Sequence, residues 1–498
     1  MKKIFGIFIV ALAFSVTVKA QEPLRTAYFL DGYNFVHQLN PALPSARSYF
    51  TLPGLGYSNL GVQSNMGIST FLFPQSNGQL TTFMNSTVSS ETFMKGLNNN
   101  NILNVDVSTA LLSIGAWGRK NGFTSIDLNL KANASINLPR DLFMFMKNVG
   151  GAEEYNISNL GVKARSYLEL SLGHTQRINK RLSVGGKVKF LLGVLNADLN
   201  IDKMNIRMNE SAWSVTAKGS LRGSTGNFVN IPSYAESGAE GSKYPDQVDF
   251  GGIRFNNPFD GANDFSSIMS SIGNCIGGYG VAIDLGAAYE VIDGLTISAA
   301  IRDLGFINWK STIYATTDEA SWEFTGFDNI SFEEGSENSI ENQINGLTEG
   351  IEDMIVLRKK PGSSYNEMLA MTVHAAAEYT MPFWKGMSVG ALLTSRIQGA
   401  HSWTEGRFSL NLALGNVFAI SGSYAISNFG SNFGAALNLH SKAFSFYIGA
   451  DAIPMHLTTP MESLGIGFGI PYKPINLGLN FGLTWNLSKR KDILGFRE

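Results

Sequence analysis

Residues that could support catalysis or metal binding are few and poorly grouped in this sequence. The six histidines contain no pair at a metal-ligand spacing, and there is neither a Gly-x-Ser-x-Gly turn nor a Walker loop. The loop acids Asp260, Asp264, Glu333 and Glu334 have the oxygen chemistry that calcium prefers, but such side chains are more often simply hydrated. The pattern predicts a protein that is not an enzyme and has no metal or cofactor.

Other charged residues recur at every other position of long segments whose intervening residues are apolar. The basic ones are Lys131, Lys163, Arg165, Lys187, Lys189, Arg302, Arg396 and Arg407, and the acidic ones are Asp127, Glu169, Asp284, Glu290, Glu378 and Asp451. A pore that selects ions by charge would show one sign in excess, whereas this near balance indicates ion-paired networks. We expect these networks to lock a wall and to hold whatever lies inside it.

The segments that carry these charges read as unusually long β-strands. Residues 125–138 alternate apolar and polar side chains without an exception, and residues 476–487 do so as well. Strands in soluble sandwiches usually have about 5–6 residues, whereas a tilted strand needs about 9–11 to cross a bilayer. A soluble β-sandwich or β-helix is the alternative. The length favours a membrane barrel, closed because lipid cannot satisfy an open sheet edge.

Loop lengths predict the topology of this barrel. Short turns alternate with long loops, which in outer-membrane barrels face the periplasm and the outside respectively. The predicted strands are 48–62, 104–118, 122–138, 159–177, 182–200, 279–291, 295–309, 367–380, 387–400, 405–414, 417–427, 432–440, 443–452 and 475–487. This gives an antiparallel all-β barrel of about 14 strands, with 16 as the alternative count. Residues 206–220 are expected to form a hairpin above the membrane, and Trp117, Trp309 and Trp485 to lie at its interfaces.

The N-terminus resembles a secretory signal. Lys2 and Lys3 precede an apolar run, and small or apolar residues precede Gln21, so residues 1–20 are expected to be removed. Removal takes three lysines and no acid, which leaves 35 basic against 40 acidic residues and a net charge of −5. A polycationic nucleic-acid-binding protein is thereby excluded. The expected location is the cell outer membrane.

Four regions are predicted along the chain: the signal peptide, an N-terminal plug segment at 21–47, the barrel at 48–487 and a periplasmic extension at 488–498. The long outer loops contain three stretches with helical spacing of apolar residues, including 340–355. The candidate ligand-binding residues on these stretches are Phe93, Leu142, Phe145, Met146, Ile344, Leu347 and Ile351. They would either collect a hydrophobic molecule or pack on one another and close the loops.

One short motif resembles a known family. In "QLNPALPS", Asn40, Pro41 and Ala42 match the Asn-Pro-Ala element in the plug of the long-chain fatty-acid transporter family, whose barrels also have 14 strands. The whole chain is most similar to an uncharacterised group of large barrels from Bacteroidota. It departs from the transporter family after the last strand, where "SKRKDILGFRE" continues.

The resemblance implies two functions. Some relatives carry hydrophobic molecules past the plug, and others, such as the shuttle barrel of the type IX secretion system, bind proteins without transporting. We therefore expect a carrier of fatty-acid-like small molecules, with a component of a surface protein-secretion or assembly complex as the alternative. The expected partners are outer-membrane lipid, a hydrophobic small-molecule ligand and other outer-membrane proteins.

Overall fold

The computed structural model describes residues 23–52, 55–75, 80–118, 120–147, 154–209, 212–226, 228–240, 244–257, 260, 264–310, 313–317, 320–324, 356–415, 417–453 and 476–490. The expected signal peptide, the stretch at 340–355 and most of the extension at 488–498 lie outside these residues. Within them no helix is long and apolar enough to cross a membrane.

The described residues are dominated by antiparallel strands. In chain order these are β1 (Tyr49–Phe50), β2 (Tyr57–Ser64), β3 (Leu72–Pro74), β4 (Leu80–Thr82), β5 (Asn100–Trp117), β6 (Gly122–Pro139), β7 (Glu154–Asn156), β8 (Gly161–Arg177), β9 (Leu182–Met208), β10 (Trp213–Ser224), β11 (Val229–Asn230), β12 (Arg254–Phe255), β13 (Gly278–Ile292), β14 (Leu295–Trp309), β15 (Ile313–Thr316), β16 (Ala320–Phe324), β17 (Arg358–Lys359), β18 (Tyr365–Met368), β19 (Met371–Thr380), β20 (Met387–Ile397), β21 (Trp403–Leu414), β22 (Phe418–Ser427), β23 (Gly430–His440), β24 (Phe444–Ile453) and β25 (Asn476–Asn486).

Helices are short and lie between the strands. The α-helices are α1 (Ile68–Phe71), α2 (Ser90–Met94), α3 (Arg140–Lys147), α4 (Tyr234–Ser237) and α5 (Phe265–Asn274), and the 3₁₀-helices are Arg25–Ala27, Val36–Gln38, Phe250–Gly252 and Gly399–His401. Ser89 caps α2 by accepting a hydrogen bond from the amide of Thr92.

The strands close into the 14-stranded barrel that the alternation predicts. Its wall consists of β1 with β2, then β5, β6, β8, β9, β13, β14, β18 with β19, and β20 to β25. Closure is made where β25 pairs with β2, for example Leu479 with Leu60, and β2 pairs in turn with β5. The predicted strand positions agree with the structure to within a few residues, except that β9 continues to Met208.

A second layer of strands continues the sheet past the barrel wall. The far half of β9 leaves β13 and pairs with β10, which then pairs with β15 and β16. This layer stands on the end of the barrel that carries the long loops, which we call the long-loop end. The opposite end, with the tight turns and the segments that flank β1 and β25, is the short-turn end. In outer-membrane barrels such turns face the periplasm.

The two faces of the wall have opposite polarity. On β6 and β8, Ile126, Leu170 and Leu172 are 43%, 46% and 55% exposed, whereas Asp127 and Glu169 are fully buried. Apolar side chains on an outer surface would be unfavourable in water and are favourable against hydrocarbon. The wall therefore has the surface of a transmembrane barrel, with the charged residues turned inward.

Two tryptophans that were expected at a membrane interface face inward. The Trp117 indole donates to the Ser45 carbonyl at 2.9 Å and packs against the buried Phe123. Trp309 is fully buried inside the barrel. The cause is a β-bulge at Asp303, where φ is 57° and the register with β13 shifts. Before the bulge the odd-numbered Ile301 faces lipid, and after it the even-numbered Leu304 does. The extra residue reverses the facing of the side chains in the rest of β14, so that Trp309 points into the barrel.

Candidate functional site

Residues 23–48, which we call the inner segment, lie inside the barrel. Leu24, Leu39 and Ala42 are completely buried although they belong to no strand. Aromatic side chains of this segment pack against rings from the wall: Phe35 lies 5.2 Å from Tyr57 between ring centroids, in an edge-to-face arrangement. The segment and the inward apolar residues of the wall thus form one core inside the barrel.

Glycines in the wall make room for the inner segment. A Cβ atom on Gly185 would collide with the carbonyl of Pro41, and one on Gly286 would collide with the side chain of Asn40. A Cβ on Gly390 would similarly meet the ring of Phe29. The close approach of segment and wall therefore depends on residues without side chains.

The Asn-Pro-Ala motif makes the contact with one side of the wall. Asn40 Oδ1 accepts a hydrogen bond from the amide of Ala42 at 2.9 Å, which closes a local turn. Thr175 of β8 donates to the Pro41 carbonyl at 2.6 Å, and Ser183 of β9 donates to the Ala42 carbonyl at 2.8 Å. The motif thus forms a hydrogen bond within its own turn and accepts hydrogen bonds from two hydroxyl groups of the wall.

A network around Arg25 ties the segment to another part of the wall. Arg25 Nε lies 3.3 Å from both Glu405 and Asp451, and Thr26 donates to Asp451 through its amide and its hydroxyl, each at 2.7 Å. Arg407 lies 2.9 Å from Glu405 and also donates to Thr26. Two guanidinium groups and two carboxylates therefore neutralise one another in a buried position, which makes their burial tolerable.

A ring of donors and acceptors surrounds His37. Lys187 of β9 donates to His37 Nδ1 at 2.9 Å, so the Nε2 proton of His37 is directed to the Tyr49 hydroxyl at 2.6 Å. Tyr49 lies 3.0 Å from the Ser113 hydroxyl, which donates to Asp127 at 2.5 Å, and Asp127 is 3.3 Å from Lys187. Burial and the Lys187 ammonium, opposed by Asp127, lower the pKa of His37 to about 3. The imidazole is therefore neutral at physiological pH.

The bulge at Asp303 concentrates charge on the wall itself. The Asp303 amide donates to Asp284 at 2.7 Å, and Lys189 lies 2.7 Å from both of these carboxylates. Glu169 is 3.7 Å from the same ammonium and 2.6 Å from Lys131. Asp303 was not among the predicted inward charges because strict alternation places it on the lipid face.

The other predicted inward charges make separate contacts. Lys163 lies 2.5 Å from Glu367, and Arg165 lies 3.5 Å from the same carboxylate. Glu290 is at the end of β13, where it accepts a hydrogen bond from the amide of Gly294 in the following turn. Glu367 was not singled out in the sequence, although its Oε2 atom accepts hydrogen bonds from the Asn196 side chain and the Trp309 indole.

Contacts across the lumen join strands that are not neighbours in the sheet. Arg396 of β20 lies 3.4 Å from Asp106 of β5, and Trp403 packs with Ile102 of β5 in a small buried cluster. The Arg25 guanidinium lies 4.8 Å from the centre of the Trp403 ring. The inner segment is thus in direct contact with the residues that bridge the lumen.

Phe93, one of the loop residues predicted to bind a ligand, lies in an aromatic cluster at the long-loop end. Phe93 of α2 is completely buried and stacks on Phe83 with 4.3 Å between ring centroids, and Phe143 of α3 meets it edge to face. We call Phe71, Phe73, Phe83, Phe93 and Phe143 the outer aromatic cluster.

The other predicted loop residues are placed differently. Leu142 packs between this cluster and a second buried cluster formed by Tyr155, Ile157, Ile206 and Met208. The ring of Phe145 lies edge to face with that of Tyr155, with 5.4 Å between the ring centroids. Met146 is 37% exposed. Ile344, Leu347 and Ile351 lie outside the described residues.

The described residues contain no group of side chains arranged to hold a metal ion. Asp264, one of the acids with calcium-like chemistry, instead accepts a hydrogen bond from the amide of Ser267 at 2.7 Å at the start of α5. Asp260 also lies within the described residues, whereas Glu333 and Glu334 do not.

Comparisons with known proteins find distant structural similarities and one matching family. The chain is similar to the solved structures of the Ralstonia pickettii toluene transporter TbuX (8% identity, TM-score 0.39, covering 95% of this chain and 99% of that one) and the Pseudomonas putida toluene transporter TodX (6%, 0.35, 94% and 95%). It is also similar to a Pseudomonas aeruginosa FadL homologue (11%, 0.31, 88% and 90%). No curated protein matches its sequence. The family described as a family of unknown function, DUF5723, matches residues 41–451, and the chain belongs to this family.

Proposed function

We propose that this protein is a gated outer-membrane carrier for small hydrophobic molecules, with the inner segment as its plug. The observation that carries the proposal is the combination of a filled lumen with the outer aromatic cluster at the end where ligands would arrive. A general porin would need an open, water-lined lumen, whereas here Leu24, Phe35 and Leu39 are buried within it. Small molecules could pass only if the inner segment moves.

The charge distribution also favours a gate over an ion pore. Around Arg25 and around Lys189 each ammonium or guanidinium faces carboxylates at 2.7–3.3 Å. Such balanced networks attract neither cations nor anions from the solution. Their role is to hold the segment and the wall in register.

A second function is favoured by the same contacts. The inner segment is held by ionic networks and hydrogen bonds on several sides, including Asn34 to Thr484 at 2.6 Å and Asn438 to the Asp31 carbonyl at 2.9 Å. A segment held this firmly suits a barrel that never opens and serves as a scaffold for other proteins. The two functions differ in whether the segment must move.

A reversible lock separates the two functions. A Cβ on Gly434 would lie against the Thr26 hydroxyl oxygen and within 3 Å of Ser423 and Arg407, whose side chains would have to shift. This proximity should let Thr26→Cys with Gly434→Cys form a disulfide in a Cys275→Ser background. Uptake of a fluorescent dodecanoic acid into liposomes that contain the oxidised protein should stop, and a reductant should restore it. Gly434→Cys alone, treated in the same way, is the matched control, because it adds the same side chain against Ser423 and Arg407 without the second cysteine.

Two results would contradict the carrier. One is uptake by the reduced protein at the level of empty liposomes, and the other is uptake that the lock leaves unchanged. The first result would favour the scaffold, because the segment then has no passage to open.

A further inference from the structure

The short-turn end of the barrel is strongly basic. Its turns and flanking segments carry the basic residues Arg47, Lys120, Arg177, Lys180, Arg181, Lys385, Lys442, Lys489 and Arg490. Within the described residues of this end the only exposed carboxylate is Asp293, which lies 3.0 Å from Arg181. The protein as a whole has a formal net charge of −2, so its charges are unevenly distributed along the barrel axis.

The long-loop end differs in that exposed carboxylates, among them Asp202, Glu240, Asp260 and Asp264, accompany its basic residues. Lys218, Arg222 and Arg254 are exposed there without a carboxylate within salt-bridge distance among the described residues, whereas other basic residues are paired. The pairs there are Lys95 with Glu91, Arg207 with Glu154, Arg358 with Asp246 and Lys359 with Glu236. Lys120, Lys180, Lys385, Lys442 and Lys489 at the short-turn end are exposed, and none of them has a carboxylate within salt-bridge distance among the described residues. The excess positive charge is therefore a property of one surface.

The middle of this surface lies over the inner segment. Arg490 lies 2.5 Å and 3.0 Å from the two carboxylate oxygens of Asp31, and Arg47 donates to the Ser488 carbonyl at 3.1 Å. Among the described residues no carboxylate comes within salt-bridge distance of Arg47. Burial and the neighbouring Arg490 guanidinium lower the pKa of Arg47 from its ordinary value. Of these two neighbouring guanidinium groups at the short-turn end, only that of Arg490 thus has a carboxylate partner among the described residues.

We propose that the short-turn end is a docking surface for an acidic protein segment, with Arg47 and Lys489 at its centre. Guanidinium groups pair with carboxylates in a fixed fork geometry, and a partner's Asp or Glu would supply the counter-charge that Arg47 lacks. Anionic lipid headgroups could reach the rim turns, such as the one at Lys180. Arg490, in contrast, is held over the inner segment by its contact with Asp31. This partner goes beyond the carrier function and does not depend on it.

Docking would also act on the inner segment. A carboxylate that approaches Arg47 comes close to Arg490 and competes with Asp31 for it. The inner segment would then lose the ion pair between Asp31 and Arg490, which holds it at the short-turn end. The surface therefore couples binding in the periplasm to the hold on the lumen.

The test uses the full protein in nanodiscs of zwitterionic phosphatidylcholine and a labelled peptide of glutamate residues as the probe. Binding should be saturable and should weaken by about tenfold between about 50 mM and about 300 mM NaCl. Arg47→Gln with Lys489→Gln should weaken it by about tenfold. The matched control, Lys95→Gln with Arg207→Gln, removes the same charge at the long-loop end and should change it by less than about twofold.

Each other outcome overturns the proposal. Absence of saturable binding does so directly, and so does an equal effect of the central and control changes. A third outcome is a loss of binding with Lys180→Gln and Lys385→Gln but not with the central pair. Together with retention of phosphatidylglycerol in native mass spectrometry, this would identify a rim that binds lipid headgroups instead.

Discussion

Lys187 of the barrel wall donates a hydrogen bond to His37 of the inner segment, with 2.9 Å between the lysine nitrogen and Nδ1. A lysine can only donate, so His37 must present a bare nitrogen to it. Protonation of the imidazole would place two N–H groups face to face. The contact between segment and wall therefore depends on His37 being neutral.

Acid should loosen the inner segment. The pKa of His37 falls from 6.5 to about 3 on burial, so between these values the released form binds a proton that the docked form does not. Docking is at full strength above pH 6.5 and weakens as the pH falls below it, by up to about 1.4 kcal/mol per pH unit. Single-channel conductance in planar bilayers should rise from pH 7.5 to 4.5.

The control is His37→Gln, whose amide is not protonated in this range. Its conductance should depend much less on pH than that of the natural protein. An identical pH profile in the two proteins would show that another group is responsible.

A side chain on Gly185 should push the inner segment away from the wall. Gly185→Val places atoms where the Pro41 carbonyl lies, and overpacking of this kind costs about 1–3 kcal/mol. Gly406→Val is the matched control, because a Cβ there meets nothing within 4 Å. We expect a higher conductance and faster trypsin cleavage at Arg25 and Arg47 for the first variant alone. Equal behaviour would mean that the wall glycines do not seat the segment.

Asp303 should be the most sensitive residue of β14. Asp303→Leu puts a poorly suited residue at φ 57° and removes a carboxylate from Lys189, for a combined loss of about 3–5 kcal/mol. Asp303→Asn tolerates the same backbone geometry and leaves Asp284 as the partner of Lys189, so its loss should be clearly smaller. The temperature at which the folded band disappears on SDS gels measures both. Similar temperatures for the two variants would contradict a structural role of the bulge.

Depth in the membrane should decide the effect of a lipid-facing charge. Leu128 lies near the middle of the stretch of β6 that crosses the membrane from the short turn. An arginine at this depth should cost about 2–4 kcal/mol. Thr124→Arg lies close to the turn, where the cost is about 0–1 kcal/mol. Refolding yield into lipid vesicles should fall for Leu128→Arg only. A similar yield for both would mean that the membrane does not cover this part of the wall.

Periodicity was sufficient to predict the barrel and its 14 strands, because most of each strand follows the two-residue repeat that separates lipid from lumen. It failed at Asp303, since one inserted residue reverses the facing of all that follow. An aspartate is among the few residues that accept a positive φ, but the sequence gives no sign that this one does. Trp309 was therefore assigned to the wrong side.

The interior could be predicted only in part. Asn40, Pro41 and Ala42 match a known family motif, whereas no local pattern around Arg25 or His37 indicates a partner that is distant in the sequence. The inward glycines were a usable signal. Gly185, Gly286 and Gly390 stand at positions where the alternation calls for a polar lumen residue, and a missing side chain there indicates that other backbone comes close.

The contact between Asp31 and Arg490 joins the inner segment to a residue that follows β25. Synthesis and export deliver Asp31 first and Arg490 only after every strand of the wall. Until then the aspartate has no guanidinium to neutralise it, and the inner segment lacks this tie. The ion pair between Asp31 and Arg490 thus forms late in assembly. Its presence distinguishes a complete barrel from a truncated or partly inserted one.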